Sequence, residues 1–404
     1  MTMEVQVQAP QHPAERRGGP LLVYCAGVPW AAVQGTDKQL AKQLCRHLPV
    51  LWIDPPYSLA HAARRRELRQ TLGSSRLRTV APGIARLVTV APPYPERSGV
   101  SIITDALLRK SIRWALRRVG GSVAAMIVTS PKPDFEAVPR TRHVYYATDD
   151  FVAGASLMGK SANRVRKAER RLLEAADFVF AVSREITARW STDQGPFHVL
   201  PNGCDPDHYA HSERAAIPPD VHLSSPIAGV VGQLSRRIDI SLLEAVAAQD
   251  ISLLLVGPLQ PDFEPGRISR LLARPNVAWV GEKRFEDLPS YLRVIDVGLT
   301  PYADSEFNRA SFPLKTLEYL SAGRMAVSTP LPALSELRTP FIRTASGADD
   351  FVRETRRAIE ESGSDMVRDG CRAFAAQHSW QDRASTLLET IGVTTWPFTI
   401  PGGR

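Results

Sequence analysis

Ser311-Phe-Pro-Leu-Lys-Thr-Leu-Glu-Tyr-Leu-Ser-Ala-Gly-Arg-Met-Ala-Val-Ser-Thr329 decides how the chain reads. It gives, in order, a loop, a helix start, a short amphipathic helix, a Gly stop and a buried strand. Pro313 suits the first helical turn, where its missing N–H costs nothing. Lys315 and Glu318 lie three apart and share a helical face. Gly323 fits a helix C-terminus, and Met325 to Thr329 reads as a strand. Free N–H groups, a positive dipole end and a movable ammonium make such a helix start an anion site. A carboxylate one turn on can accept from sugar hydroxyls. The combination suits a nucleotide diphosphate-sugar. An ordinary surface helix with an i,i+3 ion pair fits the same letters.

Working outward, strand and helix signals alternate. Leu21–Cys25, Val50–Ile53, Ile84–Val90, Ala124–Thr129, Val144–Thr148 and Phe178–Val182 read as strands. Helices are expected from Gly35 through Leu48, from Thr104 to Val119 and from Ala162 to Ala176, with Ser183 as the next N-cap. Leu107, Leu108, Ile112 and Leu116 are expected on one broad apolar face. After Pro201-Asn-Gly and a polar, Pro-containing linker, the pattern restarts. Ile227–Gly232, Leu253–Gly257, Val277–Gly281 and Val297–Thr300 are the new strands, Ser241–Ala248 is a helix, and a last helical region runs from about Ala348 through Ile391. Alternation of this kind implies α/β units whose parallel sheets are covered on both faces. Two such units leave a cleft, and their ligands bind at the carboxyl ends of the strands.

The chain has 404 residues, 44% of them hydrophobic, enough for two full cores. No apolar run has the length of a membrane span. The polar start lacks a signal-peptide core and reads as a disordered tail on a cytosolic enzyme. Cys25, Cys45, Cys204 and Cys371 are scattered without a CxxC pair, so zinc and redox chemistry are not expected. The net charge of +8 is uneven: residues 1–210 hold 29 Lys and Arg against 18 Asp and Glu, and residues 211–404 hold 21 against 24. A basic first half is suited to an anionic acceptor or membrane surface. Nothing points to nucleic acid: there is no zinc-finger spacing and no RNP-type strand.

Further stretches join the first: Leu200-Pro-Asn-Gly-Cys-Asp-Pro-Asp-His-Tyr209, Gly229-Val-Val-Gly-Gln-Leu-Ser-Arg-Arg-Ile-Asp239, Leu253-Leu-Leu-Val-Gly-Pro258 and His378-Ser-Trp-Gln-Asp-Arg383. In this order they resemble the GT-B glycosyltransferases of the family 4 type, closest to the teichuronic-acid and exopolysaccharide branch with its PLK-x-x-EYL-x-x-G signature. The resemblance covers roughly residues 20–395. It implies two Rossmann-like doubly wound domains facing a central cleft: a tail at 1–19, an acceptor domain at 20–210, a linker at 211–226, and a nucleotide-sugar domain at 227–378. Residues 379–404 would form a helix crossing back to the first domain, and a tail. The donor would be a UDP-sugar ahead of a GDP-sugar, as substrate, with no cofactor and no metal. The acceptor would be a glycan, a lipid-linked or a small molecule. The setting would be the cytoplasm or the inner membrane face.

Donor-binding residues implied are Gly232, Arg236, Arg237, Gly257, Pro313, Leu314, Lys315 and Glu318. Gly27, Trp30, Gly35 and Thr36 fall on the acceptor side. Asp149 follows a strand at the cleft rim and is the first choice for a general base if transfer inverts the anomeric centre; Asp150 is the second. Either could instead cap the next helical segment. The chain departs from the family pattern in two places. The loop after Gly232 holds Arg236 and Arg237 but no Lys, and forked Arg donors suit phosphate oxygens. The usual paired Glu would put its first member at position 310, which is Ala310, so Lys315 is expected to share the donor contact.

Three other patterns compete. Gly154 to Ser161 matches GxxxxGK[ST], the signature of a P-loop kinase or NTPase, although Asp149 and Asp150 interrupt the strand entry that a P-loop needs. Asp205-Pro-Asp207 matches a metal-binding DxD but sits in a turn. The basic runs Arg64–Arg66, Arg69, Arg109, Lys110, Arg113, Arg117 and Arg118, beside Leu107, Leu108, Ile112, Trp114 and Leu116, suit either a membrane surface or a solvated helix face. The loss of a Glu at 310 also leaves open a GT-B-shaped binding subunit without turnover.

Overall fold

The computed structural model describes residues 19–59, 76–95, 97, 99–190 and 196–393. The expected terminal tails, apart from Gly19, and Arg64–Arg66 and Arg69 lie outside the described residues. The first unit has β1 (Leu21–Cys25), β2 (Val50–Ile53), β3 (Tyr57–Ser58), β4 (Leu77–Ala81), β5 (Ile84–Leu87), β6 (Val90–Ala91), β7 (Val123–Val128), β8 (Arg142–Ala147), β9 (Phe178–Ala181) and β10 (Phe197–Val199). Eight of these form a sheet in the order β10-β9-β8-β7-β1-β2-β5-β4. All pairs are parallel except β4 with β5. β1 and β2 are buried at every position, as strands covered on both faces must be.

The second unit has β11 (Ile227–Val231), β12 (Ser252–Val256), β13 (Val277–Trp279), β14 (Val297–Thr300), β15 (Met325–Ser328) and β16 (Ile342–Thr344). They pair in parallel in the order β13-β12-β11-β14-β15-β16. Strand order reverses beside β1 in one sheet and beside β11 in the other. These are the switch points, where the loops at the carboxyl ends part and leave a crevice. Gly27 follows β1 and Gly232 follows β11.

At the second switch point a side chain holds the strands apart. β11 and β14 pair only at Ala228 with Val297 and Gly229 with Gly298. Beyond that, the Val231 N–H donates to the Tyr319 hydroxyl (2.8 Å), which donates to the Leu299 carbonyl (3.2 Å). Tyr319 thus replaces a rung of the ladder. Its ring lies over Gly298, where a Cβ would stand 2.2 Å from ring atoms. The helix Leu314–Ser321 is thereby fixed over the opening of the crevice.

Several boundaries differ from the sequence reading. The 84–90 strand is two short strands, and β4 adds an antiparallel edge beside β5 that the sequence does not announce. The Gly35–Leu48 helix is Thr36–Leu44, opened by Gly35. The Thr104–Val119 helix begins at Val100. Leu108 and Ile112 are buried in the core, whereas Leu107 is exposed, so the four leucines and isoleucines do not share one face. The last helical region is three helices, Ala348–Ser362, Asp365–Ala376 and Trp380–Thr390. The third packs on Thr36–Leu44 of the first unit. The segment after Tyr209 is tied to the second unit, with Asp220 bound by Lys283 (2.6 Å) and Tyr291 (2.9 Å).

Candidate active site

Helix Leu314–Ser321 starts one residue later than the Pro313 reading, because Pro313 has ψ 86° and stands at the N-cap. Leu314 follows as the first helical residue and is half-buried. Lys315 Nζ lies 2.6 Å from Glu318 Oε2, on side chains 19% and 3% exposed. The stem of Lys315 runs over Gly232: a Cβ on that glycine would lie 3.7 Å from Lys315 Cε. Gly232 and Gly257 have φ of 147° and 143°, and a Cβ on Gly257 would stand 1.9 Å from the Gly232 carbonyl oxygen. A side chain at Gly257 would force the Gly232 backbone to be rebuilt, and at Gly232 the positive φ itself strains any L side chain. Lys315, Glu318, Gly232 and Gly257 therefore form one cluster at the carboxyl ends of β11 and β12. Burial, then the Glu318 carboxylate nearby, keep the Tyr209 hydroxyl well above the ordinary phenol range.

The two arginines separate. Arg236 sits on the rim, bound to Asp262 (3.2 Å) with 62% of its side chain exposed. Arg237 is planted in the cleft. Its Nε donates to Asn308 Oδ1 (3.0 Å) and its Nη2 to Ser311 Oγ (3.0 Å), and its guanidinium carbon is 4.6 Å from the Phe307 ring centre and 5.4 Å from that of Tyr302. Asn308 is buried and also donates to the Arg237 and Ala303 carbonyls (2.9 and 2.8 Å). It fixes both the backbone and the side chain of Arg237. No motif points to Asn308, because its partner is 71 residues away.

Asp149 reaches this cluster from the first unit, with Oδ1 3.5 Å from Ser311 Oγ. Burial raises its pKa, and the Arg237 charge, then the Ser311 hydroxyl, oppose the rise. Asp150 faces elsewhere. It is buried, paired with Arg189 (3.0 Å), and accepts from the Ala153 N–H (2.8 Å). Its carboxylate is engaged in a turn and an ion pair, as the capping alternative has it.

On the first unit, the Gly27 N–H donates to Asp37 Oδ2 (2.8 Å) and Thr129 Oγ1 (3.0 Å). Tyr24 donates to Asp37 Oδ1 (3.1 Å). Burial raises the pKa of Asp37 to about 6, against the hydrogen bonds it accepts. Asp37 belongs to the expected helix opening Gly35-Thr36-Asp37, yet nothing in the local letters signals that its carboxylate is buried and bonded to the Gly27 N–H. Thr36 Oγ1 donates to Asn202 Oδ1 (2.8 Å), and Asn202 Nδ2 donates to the Phe312 carbonyl (3.0 Å). Trp30 turns into its own unit, edge-on to Trp52 (5.0 Å), with its backbone N–H donating to Asp54 Oδ1 (2.9 Å). Gly35 opens its helix without a close neighbour.

The segment Phe307–Phe312 joins the units along its length. Phe307 packs on Gly154, Ser183 Oγ donates to the Ala310 carbonyl (2.5 Å), Ser311 meets Asp149, and Phe312 takes the Asn202 bond. Ser183 stands at its helix N-cap as expected, but its hydroxyl crosses to the second unit instead of capping. Ala310 is buried in this contact, so the position that would hold a Glu serves to join the two units.

The competing patterns resolve. The N–H groups of Ala153, Gly154, Ala155, Met158, Gly159 and Lys160 bond to acceptors between Asp150 and Ser156, so these amides are not free to cradle a phosphate. This argues against a P-loop. Asp205 Oδ1 accepts the His208 N–H (3.3 Å) as a helix cap. Among the described residues no group of three or more His, Cys, Asp or Glu is placed to hold a metal. None of their helices is long and apolar enough to cross a membrane.

The geometry can be set beside known proteins. Residues 226–361 match the family model described as glycosyl transferases group 1. TuaH of Bacillus subtilis, named as a teichuronic acid biosynthesis glycosyltransferase, is 27% identical over 244 residues, covering 57% of this chain and 60% of TuaH. Sucrose-phosphate synthase from Thermosynechococcus elongatus superposes with a TM-score of 0.71 at 16% identity, over 92% of this chain and 98% of that one. Anabaena HepE, solved with UDP and glucose, gives 0.61 at 16% identity, over 92% and 99%. The fold is GT-B, two Rossmann-like units about a cleft. In its second unit the chain matches the glycosyl transferases group 1 model, in fold it is similar to GT-B enzymes, and it spans about 60% of the length of the curated relative it matches.

Proposed function

We propose that the protein transfers a sugar from a nucleotide diphosphate-sugar to a glycan, glycolipid or small-molecule acceptor, without a metal or cofactor. One observation carries this reading: Lys315 and Glu318, fixed by Tyr319 over the second switch point, lie against the Gly232 turn. Lys315 and Arg237 supply positive charge for the departing diphosphate, and Glu318 accepts from ribose or sugar hydroxyls. In an inverting reaction Asp149 takes the acceptor hydroxyl's proton as that oxygen bonds to the anomeric carbon; the bond to the diphosphate breaks, and the nucleotide leaves with the electron pair. HepE, solved with UDP and UDP-glucose, supports a UDP-sugar ahead of a GDP-sugar.

The first unit would meet an anionic membrane at the inner face. Tyr94, Ile102, Ile103 and Leu107 are exposed, with Arg97, Arg109 and Lys110 close by in the chain. These replace Leu108 and Ile112 as the apolar side of that contact, since both are in the core. A thermal-shift screen over UDP-, GDP- and TDP-sugars tests the donor, because a ligand that binds the native state raises its melting temperature. Transfer or hydrolysis of the stabilising donor separates an enzyme from a binding subunit. No shift with any nucleotide-sugar refutes the reading.

A further inference from the structure

A second cavity lies away from the Lys315 cluster, at the joint of the two units. It has a volume of about 290 Å³ and is lined by Ser183, Arg184, Phe312, Glu336, His378 and Arg383, with Val182, Val199 and Leu337 as apolar walls. Its floor is rigid. The Cys204 N–H donates to the His378 carbonyl (2.9 Å), the Trp380 N–H donates to the Cys204 carbonyl (2.9 Å), and a Cβ on Gly203 would stand 2.8 Å from Trp380 N. Anything bound here touches both units and the crossing between them.

Arg383 is in an unfavourable place for a structural cation. It lies in the first turn of helix Trp380–Thr390, where the helix dipole opposes positive charge. Among the described residues its guanidinium makes one hydrogen bond, from Nη2 to His378 Nδ1 (3.1 Å), and its buried Nε–H has no acceptor. Asp382, the carboxylate acting on it, is held by the Ser379 hydroxyl (2.7 Å). Burial lowers the pKa of Arg383, and burial and then Arg383 lower that of His378. Because His378 Nδ1 accepts, the ring's other nitrogen carries the proton and can donate. Arg184 enters from the opposite wall, paired with Glu336 (3.1 Å) on side chains 73% and 44% exposed, a pair that water or a ligand can exchange.

We propose that this cavity is an anion site, distinct from the donor site, that takes the phosphate group of a phosphomonoester between Arg383, His378 and Arg184. Donors from two parts of the fold, Arg184 on one side and His378 with Arg383 at the start of helix Trp380–Thr390 on the other, suit a tetrahedral oxyanion better than a planar carboxylate. The apolar walls Val182, Val199 and Leu337 accommodate a small body attached to that phosphate.

Inorganic phosphate is the probe, titrated calorimetrically at constant ionic strength against chloride. The Lys315→Met background removes one of the two donor-side charges, Arg237 being the other, and the readout is the change that Arg383→Met adds to it, which does not depend on the proposed transferase activity. Phosphate binding should persist in Lys315→Met and weaken at least tenfold when Arg383→Met is added. If Arg383→Met does not fold, Arg383→Lys and Arg184→Met should each weaken binding severalfold. No phosphate binding in Lys315→Met, or unchanged binding in the folded Arg383 and Arg184 variants, overturns the proposal.

Discussion

Lys315→Met tests the centre of the donor site, and its cost follows from the geometry. Glu318 is buried and Lys315 Nζ is 2.6 Å away. Removing the ammonium leaves a buried carboxylate without its partner. For a fully buried pair that costs about 3–5 kcal/mol. Lys315 keeps 19% of its side chain exposed, so about 2–3 kcal/mol is expected here. Glu318→Gln removes the charge that suffers, and the double variant Lys315→Met/Glu318→Gln should recover at least half of the loss. Donor binding should behave differently. Lys315→Met should weaken it by ~1.5–3 kcal/mol, the scale of a charge-assisted hydrogen bond, and Glu318→Gln should not restore it. Urea melts give the stability cycle, and calorimetry with the donor nucleotide gives the binding cycle. A Lys315→Met stability within ~0.5 kcal/mol of the parent, the scatter of an ordinary surface change, together with unchanged donor affinity, would refute the reasoning.

Asp149→Asn should lower turnover by ~100- to 10,000-fold with donor affinity nearly unchanged, and near-normal turnover removes Asp149 as the base. Because burial raises the Asp149 pKa and a base must be ionised, the acid limb of kcat should lie above the usual carboxylate range; removing the Arg237 charge, in Arg237→Met, should move that limb further up. Gly257→Ala places a Cβ 1.9 Å from the Gly232 oxygen at φ 143° and should destabilise by ~3 kcal/mol or more in urea melts. Lys160→Ala should leave transfer within a few-fold of normal, since its loop amides are bonded to local carbonyls.

The sheets were legible because their strands are continuous apolar runs punctuated by glycine, as in Leu253–Gly257. Lys315 and Glu318 were legible because a three-residue spacing on a helix is itself a geometry. Asp150 was not: its partner Arg189 is 39 residues on, and nothing in the pair of aspartates tells which one turns inward. The contacts of Asn308, Ser183 and Arg383 stayed hidden for the same reason, although Ser183 reads as an N-cap and Arg383 closes the stretch His378–Arg383. Their roles come from atoms brought together across the fold, and periodicity reports only neighbours along one element. Leu108 and Leu107, adjacent letters of the same kind, ended in the core and in solvent because a helix turns about 100° per residue.

The contacts of Phe307–Phe312 have a kinetic consequence. This segment runs directly into the helix that carries Lys315, and it is held to the first unit by the bonds from Ser183 and Asn202. At ~0.5–1.5 kcal/mol net for each bond, parting the units here is uphill by an amount that leaves the parted form a minority. A large donor that enters by this route waits for that minority, so its association rate should level off at high concentration instead of rising without limit. The step that sets the ceiling is then the release of two backbone carbonyls, those of Ala310 and Phe312.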